Sequence, residues 1–275
     1  RHAAPLPRRP HPLPVKPLPH PLAFILPFLA LPAHADVQAT LSDHILPGYA
    51  RLAEDTAALA QVAQADCNPD AVRPAFHTAY DSWISISHIQ FGPLEDEVLT
   101  LAMSFWPDPK DSTGKALARL TAASDPIVDD ADAFEDVSAA AQGFTALERM
   151  LYEPQPDADY ACRLTKAIAT GLADKSETLA GDWPAFADLM QTAGDNTRFQ
   201  SALEAQRALY TALSTGLEFL HDQRLGRPLG SFDRPRPRRA EARRSERSLR
   251  HIELQLAALE ALATTMTSTD LTQTR

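Results

Sequence analysis

The chain has 275 residues, 44 % apolar and 23 % charged, the balance of a globular protein with a buried core rather than of a disordered chain. Its formal net charge is −10; the first 35 residues carry four basic side chains and no acid, which leaves 22 Lys and Arg against 36 Asp and Glu, net −14. So acidic a body argues against a general nucleic-acid or anionic-membrane binder and suits a cationic partner such as a metal ion or a basic protein face.

Residues 1–35 read as an export signal. Arg1, Arg8, Arg9 and Lys16 supply a basic start, residues 21–32 (PLAFILPFLALP) a short apolar core, and Ala33-His34-Ala35 a small-x-small cleavage site that makes Asp36 the first mature residue. A disordered Pro-rich leader is the alternative. The apolar run is too short for a transmembrane helix, and no other segment is apolar enough for one. The only cysteines, Cys67 and Cys162, fall in the mature part. In an oxidising compartment an isolated pair forms a bridge, with two separate buried thiols as the alternative.

From Asp36 onward, apolar residues at Val37, Leu41, Ile45, Tyr49, Leu52, Leu59 and Ala63 recur at helical spacing, with Pro47-Gly48 expected to kink or restart the helix. Asn68-Pro69-Asp70 is a turn, and residues 71–90 form a second helix with Phe76, Tyr80, Trp83 and Ile84. Residues 115–123 make a short helix. A stronger one over 134–152 places Val137, Phe144, Leu147 and Leu151 on one face, with Gly143 in mid-helix. A helix over 161–179 is expected to turn a corner at Trp183-Pro184. A long helix after Asn196 ends in Gly226-Arg227-Pro228, and residues 240–262 form the last, before a Thr-rich aperiodic tail. No segment reads as a β-strand. Helices joined by short links predict an all-α fold of two packed up-and-down bundles, with boundaries at 1–35 for the leader, 36–193 and 194–263 for the bundles and 264–275 for the tail.

Several segments resemble the imelysin family: Tyr80-Asp81-Ser82-Trp83, Gln90-Phe91-Gly92-Pro93, Phe105-Trp106-Pro107-Asp108, the stretch from Gly143 to Arg149, Arg224 to Gly230, and Arg234 through Arg250. The resemblance implies two related helical bundles, a periplasmic or surface location and a link to iron acquisition. It also implies a second bundle that is incomplete here, with part of its apolar face exposed. The family's Gly-x-His-x-x-Glu motif lands on Gly143, Thr145 and Glu148, so threonine stands where the motif has histidine. An imidazole is a ligand for borderline metals and a base near neutral pH; a hydroxyl is neither. The peptidase activity ascribed to the family is therefore not expected.

Glu148, on the edge of its helix's apolar stripe, is the first candidate metal ligand, with an arginine ion pair as the competing role. His77, Asp81 and His88 follow one another along the second helix, the first two one turn apart and close enough to share an ion. Solvated or hydrogen-bonded histidines are the commoner outcome of that pattern. Arg224 to Arg250 contains ten arginines against Asp233, Glu241 and Glu246. If residues 240–262 are helical, Arg239, Arg243, Arg247 and Arg250 form one basic face. Thr145, Arg239, Arg243 and Arg247 are thus candidate ligand-binding residues for an anionic chelator or acidic partner, with inter-helix ion pairing as the alternative. The expected function is a non-catalytic periplasmic protein that binds an iron ion or iron complex during uptake. A structural or interaction protein of the cell envelope, and more remotely a metallopeptidase, are the rivals.

Overall fold

Asp36 caps the first helix: its side chain accepts a hydrogen bond from the Ala39 N–H at 2.8 Å, and its own N–H donates to the Met266 carbonyl at 2.8 Å, joining the two ends of the fold. The computed structural model describes residues 36–267. The expected export signal and the tail beyond Thr267 lie outside the described residues.

Helices follow in the order α1 (Val37–Thr40), α2 (Leu46–Ala65), α3 (Pro69–Ile86), α4 (Glu97–Met103), α5 (Ser112–Ala123) and α6 (Ala131–Glu135). Then come α7 (Gly143–Tyr152), α8 (Ala158–Gln191), α9 (Ala202–Phe219), α10 (Arg227–Leu229) and α11 (Ser248–Thr267). Among the described residues the only β pairing is an isolated bridge between Ser231 and Arg234. No described helix is long and apolar enough to cross a membrane.

The stripes seen in the sequence meet in one core. Tyr49, Leu52 and Leu59 of α2, Phe76, Tyr80 and Trp83 of α3, and Leu164, Ile168 and Trp183 of α8 are all buried. Each such side chain removed from water contributes about 1.5–3 kcal/mol. Helix α7 closes this layer, its Phe144 ring stacked on Tyr80 with centroids 4.6 Å apart. Helix α11 lies against α3 and α9, and its His251 ring meets Tyr80 edge-on at 4.4 Å. The expected boundary near residue 193 falls in the link between α8 and α9. Leu203, Tyr210 and Leu217 of α9 and Leu249 and Leu256 of α11 are exposed on this second layer. Cys67, just before α3, is disulfide-bonded to Cys162 in α8 with their Cα atoms 5.3 Å apart.

The restart expected at Pro47-Gly48 falls where α2 begins, with the proline in its first turn, directly after a wide π turn over Leu41–Ile45. Three local expectations need correction. The helix expected over 134–152 is broken into α6, a 3₁₀ turn and α7, because Gly143 opens α7 at φ 73° and a Cβ there would overlap the carbonyls of Ala102 and Met103. No corner occurs at Trp183-Pro184: α8 continues to Gln191, since Trp183 is fully buried and rings of Tyr49, Phe91 and Phe186 pack around it. The last helix starts at Ser248 rather than near 240 and runs on through Thr264 to Thr267. Residues 241–246 fold into turns, pinned where the Ser245 N–H and hydroxyl donate to the buried Glu148 carboxylate and the Arg247 N–H to the Ala242 carbonyl.

Candidate functional site

That turn segment lies against α3, α7 and the π turn Leu220–Gly226 that extends α9, and it builds a polar centre inside the bundle. Arg224, on the π turn, donates from Nε to Glu241 Oε2 at 2.7 Å and from Nη2 to Oε1 at 3.4 Å, a two-pronged pair with both side chains buried. Arg224 Nη1 also donates to Gln255 Oε1, whose amide nitrogen donates to the Gly216 carbonyl at 3.2 Å. His251 Nδ1 lies 3.2 Å from Glu241 Oε2. Burial alone would raise the Glu241 carboxyl, yet the Arg224 guanidinium and the His251 bond outweigh it and hold the group at about 2. The same burial, with Glu241 and Glu148 nearby, drives the Tyr80 phenol well above its usual range. Its hydroxyl is 3.2 Å from Ser104 Oγ, which is 3.2 Å from Thr145 Oγ1.

Two cavities flank this centre, and Trp106 lines both. One, of about 200 Å³, has aromatic walls in Trp83, Trp106 and Phe219 and polar groups from His88, Arg224 and Glu241. The other, of about 360 Å³, is bordered by Thr145 and by Arg149, Arg227, Arg238, Arg239, Arg243 and Arg244.

The four candidate metal ligands do not come together. Glu148 Oε1 accepts from the Ser245 N–H at 2.9 Å and the Ser245 hydroxyl at 2.6 Å, with Arg244 Nη1 4.0 Å from its other oxygen. Asp81 accepts from Arg247 at 2.6 Å on both oxygens and from Arg250 at 3.3 Å. His77 Nε2 sits 2.6 Å from the Tyr152 hydroxyl, and His88 Nε2 sits 2.9 Å from His44 Nε2. Burial keeps both members of that imidazole pair neutral, with His44 lowered to about 4 and His88 lowered further by His44 and Arg224. Among the described residues no three His, Cys, Asp or Glu side chains group as a metal site would require. The donor set does not fit a bare iron ion, since the four side chains are held on separate partners and do not converge on one point.

The candidate ligand-binding residues divide in two. Thr145, Arg239 and Arg243 border the larger cavity, whereas Arg247 is turned away onto Asp81. The expected continuous basic face does not exist, because three of its four arginines precede or lie in the turns before α11. Sequence reasoning missed Arg224, Glu241, His251 and Gln255 as a unit. Arg224 and Glu241 fall in family-like segments and His251 and Gln255 do not, and no spacing rule links a π turn, a loop and a helix.

Among the described residues, helices packed around a buried arginine–carboxylate pair and flanked by two cavities define an all-α helix-bundle protein. The Imelysin family model (peptidase M75) matches residues 45–273, and the chain belongs to that family. Among solved structures, an imelysin-like protein from Psychrobacter arcticus 273-4 is similar at 20 % identity and TM-score 0.70, over 86 % of this chain and 76 % of that one. A protein from Parabacteroides distasonis ATCC 8503, named an iron-regulated protein A precursor, is similar at 17 % identity and TM-score 0.68, over 86 % of this chain and 74 % of that one. At these identities the likeness speaks for the fold. No curated protein matches the chain significantly.

Proposed function

We propose that the chain is an exported, non-catalytic binding protein of iron acquisition that takes iron as a preformed complex rather than as a bare ion. One observation carries the choice between the two forms: Glu148, Asp81, His77 and His88 are each already hydrogen-bonded to a protein partner. A complex brings its own ligand shell and asks the protein only for shape and charge, which two clefts beside Trp106 supply. Iron enters the reading through the family and through the name of the Parabacteroides protein. The non-catalytic reading rests on Thr145, which stands at the motif's histidine position with its hydroxyl on Ser104, and on Glu148, whose carboxylate is engaged by Ser245.

Calorimetric titration of the purified chain with Fe(III) salts and, separately, with ferric citrate tests the reading. Saturable binding of the complex without comparable binding of the ion supports it. Binding of the bare ion, abolished by Glu148→Ala, would replace it with a direct metal site. Failure of both, in a folded sample, would favour the second reading, an envelope interaction protein in which the ion pairs are purely structural.

A further inference from the structure

We propose that the cavity of about 360 Å³ between α5, α7 and the arginine-rich loop before α11 is a binding site for a compact, multiply charged oxyanion, a polycarboxylate or a phosphate. The site stands whether or not its ligand carries iron.

Six arginines line this one space, in a chain whose net charge is −10. Only Asp108 and Asp111 oppose them in the lining, and both are already engaged, Asp111 by one of the six arginines. Asp108 accepts from the Ser112 and Thr113 N–H groups, each at 2.8 Å, and Asp111 accepts from Arg149 at 2.6 Å. Arg149 and Arg244 also share Glu153. The side chains of Arg238, Arg239 and Arg243, exposed along the cavity's border, make no hydrogen bond or ion pair with any described residue, and at Arg227 the buried Nε has no acceptor while Nη1 reaches Gln223 at 3.2 Å. Asp111 and Glu153 offset Arg149 and Arg244, but no carboxylate contacts Arg238, Arg239 or Arg243, whose added positive charge a bound anion would offset. Burial and the neighbouring Arg244 make the Arg243 guanidinium less basic than usual, against the opposing pull of Glu148 and Glu153. Planar N–H forks are the donors that recognise carboxylate and phosphate oxygens in pairs. Because the surface is concave, it suits a small anion rather than a flat protein face.

The test uses the full chain, free of metal, at constant ionic strength, titrated calorimetrically with citrate and with inorganic phosphate. The variants are Arg238→Gln combined with Arg243→Gln, and Arg234→Gln as a basic control outside the cavity; circular dichroism verifies that each is folded. The expected result is saturable binding of at least one anion, weakened about ten-fold or more in the double variant and unchanged in the control. Tighter citrate binding identifies a polycarboxylate ligand, and tighter phosphate binding a phosphate. Absence of saturable binding for both anions overturns the proposal, as does equal weakening in the control, which would mark a diffuse positive potential instead of a site.

Discussion

Glu148 in α7 receives both the backbone N–H and the hydroxyl of Ser245, 97 positions later in the chain, and so fastens the turn segment 241–247 onto the bundle. Both residues are buried, so neither donor has water to fall back on. Glu148→Ala therefore strands the Ser245 N–H, at a cost of about 1–3 kcal/mol, while the hydroxyl keeps the Ala242 carbonyl at 3.2 Å as an acceptor. Ser245→Ala removes the hydroxyl but keeps the N–H bond, and is expected to cost less than half as much. Urea unfolding of the two variants checks the ordering. Equal losses would mean that the backbone bond contributes nothing.

The long helices were legible because their apolar residues recur every three or four positions and Asn68-Pro69 or Gly226-Arg227-Pro228 mark their ends. The polar centre was not. Ser245 and Glu148 carry no mutual signal in sequence, and Arg224, Glu241 and His251 meet only because the chain folds back. Residues 240–247 read as helix because Ala, Glu and Arg favour it, but intrinsic propensity is worth a few tenths of a kcal/mol per residue, and satisfying a buried carboxylate is worth more. Ala242 and Glu246 accordingly sit at positive φ, 48° and 60°. The same override carries α8 through Pro184, where the packing around Trp183 outweighs a lost backbone bond. Arg239 and Arg243 read as ligand-binding candidates from a helical face that does not form; they border the cavity from a 3₁₀ turn and a loop instead.

Gly143 has a backbone that other residues adopt with strain, and the carbonyls of Ala102 and Met103 fill the space a side chain would need. Gly143→Ala combines the two penalties, and a destabilisation of about 2 kcal/mol or more is expected. Its effect should reach the start of α7, and with it Thr145 and Glu148. Thermal unfolding reads the loss. A neutral result would show that α4 can draw back from α7 without cost.

The disulfide between Cys67 and Cys162 closes a loop across 95 positions and ties the α2–α3 turn to α8. In the chain-entropy model a loop of that length contributes about 4.7 kcal/mol. Reduction, or Cys67→Ser with Cys162→Ser, should lower the urea midpoint while leaving the helical circular dichroism of the folded state intact, since the core of α2, α3 and α8 is packed independently of the bond. Loss of helicity in the reduced protein at zero denaturant would contradict this.

Acid should weaken the fold in two separable windows. His44 is held at about 4, below its ordinary 6.5, because burial disfavours the imidazolium. The folded state therefore resists a proton that the unfolded chain accepts, so this contribution is whole above about pH 6.5 and is lost as pH falls toward 4. Glu241 is held at about 2 against an ordinary 4.5, because Arg224 and His251 outweigh the burial that would raise it. Here the folded carboxylate is the favoured form, its contribution is whole above about pH 4.5, and it disappears as pH falls toward 2. For a buried group a shift of that size corresponds to something on the order of 3 kcal/mol. His44→Gln should shrink the upper window without abolishing it, because burial also holds His88 neutral, and should leave the lower window unchanged. Glu241→Gln should flatten the lower one, while also lowering stability at neutral pH, because Arg224 would then be a buried charge without its counter-charge. Denaturation curves at pH 7, 5 and 3 for the parent and both variants separate the two. A single acid transition unchanged by Glu241→Gln would remove the Arg224–Glu241 pair from any account of the protein's stability.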